Sequence, residues 1–153
     1  ETHYLPEYGD LLKMRVPPHD QNDPYLHVFP PPHADNFLMQ GPQLLREFNR
    51  LMTREKLLAL LKQAGIREEE LAFFSSHQAS IKIVNDMYKL LPNVPHKPKG
   101  IVEYGNTSSA STAIDIDDGI RSGKIKNGDI GLVLAFGGGL TYGSAVVQLG
   151  KAA

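Results

Sequence analysis

Apolar residues recur at three- and four-residue spacing through Leu45, Phe48, Met52, Leu57 and Leu61, which predicts a long amphipathic helix from about Gly41 to Ala64. A break is expected near Thr53, and Gly65 ends the pattern. The period then changes. Leu71 to Phe74 reads as a short buried strand running into Ser75-Ser76-His77-Gln78, and Ser80 to Leu91 returns to helical spacing. Gly100 to Tyr104 reads as a second strand, followed by a helix capped by Thr107 or Ser108 and ended by Gly123. Two apolar runs, Ile130 to Ala135 and Ser144 to Leu149, predict a final strand pair joined through Gly137-Gly138-Gly139. Near the start, Thr2 to Leu5 and Asp10 to Val16 read as a β-hairpin around Pro6-Glu7-Tyr8-Gly9, and Pro17 to Asn36 as a surface loop. The alternation argues an α/β fold with a covered sheet, in which binding groups collect at the carboxyl ends of strands. His77, Asn106 and the turn from Phe136 to Gly139 lie at such ends.

Composition narrows the classes. The 153 residues are 41% hydrophobic and 22% charged, enough for one globular core. A formal net charge of -1 provides no broad attraction to nucleic acid or an anionic membrane. With no cysteine, disulfides, thiolate metal sites and a cysteine nucleophile from this chain are excluded. No apolar run approaches the roughly 20 residues that span a bilayer, and no signal pattern opens the chain, so a cytoplasmic protein is expected. The first residue is Glu1, which fits a processed product, a cloned domain or a fragment. No metal or cofactor is expected. His19, His27 and His33 lack ligand spacing, and Asp115, Asp117 and Asp118, with Arg121 and Lys124 nearby, read as a solvated helix face.

Three consecutive glycines between strands mark either a bulged hairpin or a backbone that something approaches closely. A phosphate cradle does not fit, since a strand follows the triplet and the lysine of a P-loop is missing.

His77-Gln78-Ala79-Ser80, Tyr104-Gly105-Asn106-Thr107-Ser108-Ser109-Ala110-Ser111 and Ala135-Phe136-Gly137-Gly138-Gly139-Leu140-Thr141-Tyr142-Gly143-Ser144 together resemble the blocks of the β-ketoacyl-acyl carrier protein synthase III family of condensing enzymes. Met39-Gln40-Gly41, Arg121-Ser122-Gly123-Lys124-Ile125 and the opening Thr2-His3-Tyr4-Leu5 extend the resemblance over essentially the whole chain. It reaches only the C-terminal half of that family's polypeptide, so residues 1–153 are expected to form the second half of a thiolase-like fold. Two departures stand out. The family most often carries Asn where Ser80 stands, and Arg where Lys82 stands, so a charge is kept there without a bidentate fork.

The resemblance implies decarboxylative Claisen condensation of an acyl thioester with a malonyl thioester, in fatty acid or polyketide biosynthesis. His77, as a neutral imidazole, and Asn106 would donate hydrogen bonds to the thioester oxygen, and preorganised donors of this kind are typically worth a few kcal/mol each. The backbone N–H near Gly138 would serve a second oxyanion hole, Phe136 would flank the acyl pocket, and Lys82, helped by Lys89, would meet an acidic carrier protein. Implied partners are an N-terminal half bearing the catalytic cysteine, acyl carrier protein or CoA thioesters, and a second copy of the complete enzyme. Nucleic acid and membrane are not among them. The competing reading is a non-catalytic half that pairs with and shapes a catalytic subunit. Intact His77 and Asn106 favour catalysis, because a purely structural half has no need of both.

Overall fold

The computed structural model describes residues 2–4, 12–14, 37–39, 41–137 and 140–150. His19, His27, His33 and Gly138 lie outside them. A mixed sheet is built from β1 (Thr2–Tyr4), β4 (Leu71–Ser76), β5 (Ile130–Gly137) and β6 (Thr141–Gln148), in the order β1-β6-β5-β4. β4 and β5 run parallel, and β5 and β6 form the expected antiparallel pair, with Gly137 opposite Thr141.

The N-terminal hairpin is not formed. β1 instead pairs antiparallel with β6, with His3 opposite Tyr142, while β2 (Leu12–Met14) pairs with β3 (Phe37–Met39). An unpaired strand edge is a row of unsatisfied backbone groups, and the edge of β6 outweighs the local turn signal.

The long helix divides as expected into α1 (Gly41–Leu51) and α2 (Arg54–Gln63). Thr53 caps the second, its hydroxyl accepting from the Lys56 N–H at 3.5 Å. Gly65, at φ +72°, takes the left-handed conformation that lets the chain turn out of it. α3 (Ile81–Tyr88) follows β4. Phe48, Leu57, Val84 and Met87 from these helices bury against Phe74, Leu132 and Leu134 of the sheet. The other face is covered by α5 (Ser111–Arg121).

Side chains alternate across a strand, and β4 divides accordingly. Phe74 and Ser76 belong to the α3 side, where the Ser76 N–H meets the Tyr88 hydroxyl at 3.5 Å. Ser75 points to α5, its hydroxyl donating to Asp115 at 3.2 Å. Phe73 lies over Gly131 of β5, where a β-carbon would fall 2.1 Å from the ring. The glycine leaves the room that the ring fills.

Residues 100–104 are not a strand. Ile101–Tyr104 is a single helical turn, α4, and the extended backbone comes earlier: His96 bridges Phe73 in parallel, accepting from the Phe74 N–H at 2.9 Å. Side chains decide the difference. The Gly100 N–H donates to Asp115 at 3.2 Å and the Ile101 N–H to Gln78 at 3.0 Å, which removes two donors that a ladder would need.

The expected solvated face of α5 also needs correction. Asp117 is exposed and pairs with Arg121 at 2.6 Å, whereas Asp115 is buried, one helical turn from Ser111 and one from Gly119. These three small or polar residues face the sheet. Ile120 is left 49% exposed.

Candidate functional site

His77 is the first residue beyond β4, and its N–H prolongs the parallel ladder by donating to the Leu134 carbonyl at 2.7 Å. Continuing the alternation of Phe73 and Ser75, its ring turns to the α5 side. There Nδ1 lies 2.8 Å from the Ser111 hydroxyl, at the first residue of α5. Phe136 meets the ring edge-on, centroids 4.8 Å apart at 84°, and itself rests against Phe48 of α1 at 3.9 Å. Phe136 is therefore both a packing residue and a wall of the imidazole. Burial holds the His77 pKa below its usual value, opposed by the Ser108 carbonyl, which favours the protonated ring.

Asn106 follows the α4 turn and is exposed. Gly105, at φ +70°, makes the exit from that turn. The Asn106 side-chain oxygen accepts from the Ser108 N–H at 2.9 Å, an Asx-type turn. Ser108 is held at φ 55°, the one positive value among the described non-glycine residues. A short 3-10 turn over Ser108–Ala110 then enters α5, and neither Thr107 nor Ser108 supplies the expected side-chain cap. Instead the Ser111 hydroxyl donates to the Ser108 carbonyl at 3.0 Å.

His77 and Asn106 are thus joined by a chain of hydrogen bonds through Ser111 and Ser108. His77 Nε2 and the Asn106 amide nitrogen have no hydrogen-bond partner among the described residues.

Lys82 is exposed in the first turn of α3. Ser80 caps that helix, accepting from the Ile83 N–H at 3.3 Å. Serine and asparagine are equally good caps, so the departure from the family's usual Asn leaves this role intact. Lys89 is drawn to Asp86 at 2.8 Å.

Sequence reasoning missed the layer behind His77. Gln78 is buried. Its amide donates to the Ser76 carbonyl at 2.7 Å and to Asp115 at 2.8 Å, and its oxygen accepts from Ile101. Burial pushes the Asp115 carboxyl up to about 6, against the donors from Ser75, Gly100 and Gln78 that favour its charged form. Burial likewise raises the Tyr88 phenol, which donates to the Pro98 carbonyl. The available signal was spacing: Ser111, Asp115 and Gly119 recur every four residues, a helix stripe of small and polar residues. Among the described residues, no three His, Asp or Glu side chains are arranged to hold a metal ion, and no helix is long and apolar enough to cross a membrane.

Comparison with known proteins accords with this geometry. Residues 61–149 match the family profile described as 3-oxoacyl-acyl-carrier-protein synthase III C terminal. The beta-ketoacyl-acyl-carrier-protein synthase III of Aquifex aeolicus is 38% identical over 121 residues, which are 76% of this chain and 38% of that protein. A crystal structure of the 3-oxoacyl synthase III from the same organism superposes with a TM-score of 0.73 at 31% identity, covering 97% of this chain and 42% of the other. The Thermus thermophilus synthase III gives a TM-score of 0.77 at 25% identity, covering 99% and 46%. The chain spans less than half the length of these relatives, and the fold is thiolase-like α/β. It belongs to the 3-oxoacyl-acyl-carrier-protein synthase III family of condensing enzymes, whose C-terminal part it matches.

Proposed function

We propose that residues 1–153 are the C-terminal half of a synthase III-type acyltransferase, which condenses an acyl thioester with a malonyl thioester by decarboxylative Claisen chemistry. The observation that carries this reading is the pair of unpartnered nitrogens, His77 Nε2 and Asn106 Nδ2, tied to one end of the sheet through Ser111 and Ser108. Loss of carbon dioxide from the malonyl group sends charge onto the thioester oxygen, and fixed polar groups aimed at that oxygen lower the barrier. Phe136, already against the imidazole, flanks the acyl pocket. The backbone N–H near Gly138 is proposed to serve the oxyanion at the acylated cysteine.

The nucleophile must come from outside this chain, which has no cysteine. A cysteine-bearing N-terminal half is the proposed partner, and two complete enzymes pair as a homodimer. Exposed apolar residues support a missing surface: Val102 is 72% exposed, Ile120 49% and Ile81 45%. Lys82 is proposed to meet an acidic carrier protein delivering the acyl or malonyl group, with CoA thioesters as the other donors. The setting is cytoplasmic fatty acid or polyketide synthesis.

The test is reconstitution. The chain is assayed for condensation of acyl-CoA with malonyl-carrier protein, alone and with a cysteine-bearing N-terminal half, on the same polypeptide or added in trans. No product alone and turnover with the second half is the expected result. Turnover that survives His77→Ala and Asn106→Ala unchanged would leave the non-catalytic pairing role as the better reading.

A further inference from the structure

The segment that carries Asn106 has little of its own to hold it. From Ile101 to Ala110 no residue is buried within this chain, so no side chain anchors the segment in the core. Its inner bonds are local. The Gly105 N–H donates to the Ile101 carbonyl at 3.2 Å, the Ser108 N–H to the Asn106 side chain at 2.9 Å, and the Ala110 N–H to the Thr107 carbonyl at 3.2 Å. These bonds fix the shape of the segment rather than its place. A stretch with few buried apolar contacts opens easily unless its ends are tied.

Both ends meet one residue. At the start, the Ile101 N–H, an orphan donor of a helical turn, donates to the Gln78 side-chain oxygen at 3.0 Å. At the far end, the Gln78 backbone N–H donates to the Ser111 hydroxyl at 3.2 Å, and that hydroxyl lies 3.0 Å from the Ser108 carbonyl. Gln78 is itself fixed. It is 1% exposed, and its amide nitrogen lies 2.7 Å from the Ser76 carbonyl and 2.8 Å from Asp115. A carbonyl accepts and a backbone N–H donates, so the amide has one orientation that satisfies both Ser76 and Ile101.

We infer that Gln78 is a positioning residue: it clasps the segment from Ile101 to Ser111 at both ends and so holds Asn106 in place relative to His77, the residue before it. An apolar side chain of the same length would fill the space but leave the Ile101 N–H without its acceptor and the Ser76 carbonyl without its donor. The placement stands on the fold alone, whereas its consequence for rate rests on the acyl-transfer reading. Two donors stabilise one oxygen only when both are aimed at it, and a misplacement of about 1 Å can cost on the order of a hundredfold.

The experiment is Gln78→Met in the complete enzyme, read by crystallography and by kinetics. The expected structure keeps β4 and β5 and displaces Asn106 from His77 by about 1 Å or more. Asn106 unmoved overturns the inference, whatever the activity. In kinetics kcat should fall by about tenfold to a hundredfold while KM holds, since alignment acts on the transition state. The double variant with Asn106→Ala separates alignment from a general loss of folded enzyme. With Asn106 absent there is nothing left to align, so adding Gln78→Met should lower kcat by no more than about twofold further, and losses that multiply overturn the inference. Should Gln78→Met fail to fold, Gln78→Asn, which keeps an amide but is one carbon too short to reach Ile101, is read in the same way. A wild-type enzyme without condensation activity, with Asn106 displaced in the variant, would sink the acyl-transfer reading alone. Full wild-type activity with Asn106 unmoved in the variant would sink this inference alone.

Discussion

The two sides of the His77 end of the sheet are held by opposite means. Behind it, Asp115 accepts from Ser75, Gly100 and Gln78 in a buried layer that ties β4, the α4 turn and α5 together. In front, Asn106 is exposed and its oxygen is occupied only by a neighbour two residues away. The inner side spends its polar atoms on the fold and the outer side keeps them. A group whose loss should weaken the fold is thus separated from a group whose loss should leave it standing.

Removing the inner carboxylate gives the largest effect. Asp115→Ala strands the Gly100 N–H, one hydrogen of the Gln78 amide and the Ser75 hydroxyl, and each unmet donor costs about 1–3 kcal/mol. A loss of about 3–5 kcal/mol is expected in urea unfolding, the relaxation of Ser75 sparing part of the sum. Asp115→Asn should lose less, since its oxygen still accepts while its amide faces a donor. A loss below about 1 kcal/mol in Asp115→Ala would erase the contrast between the two sides.

The outer group behaves in reverse. Asn106→Ala should cost stability no more than about 0.5–1 kcal/mol, the value of one exposed turn contact, yet lower kcat in the complete enzyme by on the order of a hundredfold. Chemical denaturation and steady-state kinetics on the same preparation separate the two. Equal losses of stability and activity would mean that Asn106 acts only through the turn it holds.

A smaller effect distinguishes the sides by sign. The Asp115 carboxyl is raised from 3.8 to about 6, so the unfolded chain ionises first. Its contribution to stability is complete below about pH 4 and is lost as pH rises through about 6. The slope approaches about 1.4 kcal/mol per pH unit at most. His77 and His96 are lowered by burial, so their contribution is present above pH 6.5 and is lost as pH falls below it. Urea midpoints between pH 4 and 6 should fall more steeply in the wild type than in Asp115→Asn, and His77→Gln should flatten the loss below pH 6.5. A wild-type slope shared by Asp115→Asn would remove Asp115 from the account.

Local chemistry was legible wherever a neighbour decides the outcome. The break near Thr53, Gly65 and Gly123 as helix ends, and the β5–β6 pair all follow from residues close in sequence. Partners far along the chain decided the rest. β1 pairs some 140 residues away, and the β-branched run at Ile101 and Val102 became a helical turn because Asp115 and Gln78 took its first N–H groups. His77 stood out by resemblance and by its place at a strand end. Ser111 did not, because a serine near the start of a helix reads as a cap, and its contacts with His77, Gln78 and Ser108 appear only in the fold.

The smallest expected effect lies at Lys82, in the first turn of α3. On stability, Lys82→Glu sets two terms against each other. An acidic residue in the first turn of α3 gains about 0.3–1 kcal/mol from the helix dipole. The attraction that Lys82 gives Asp86 is replaced by repulsion one turn away, worth about 0.2–0.5 kcal/mol. The sum is close to zero, so unfolding midpoints should scarcely move. That near-neutrality makes the substitution a clean probe of the surface. If an acidic carrier protein docks on α3, reversing the charge slows its encounter at low salt, raises KM for the carrier-bound substrate, and leaves kcat and the CoA thioester kinetics alone. The difference should fade as added salt brings the Debye length from about 30 Å at 0.01 M to about 8 Å at 0.15 M. Equal carrier-protein kinetics for both proteins at low salt would return Lys82 to an ordinary exposed helix residue.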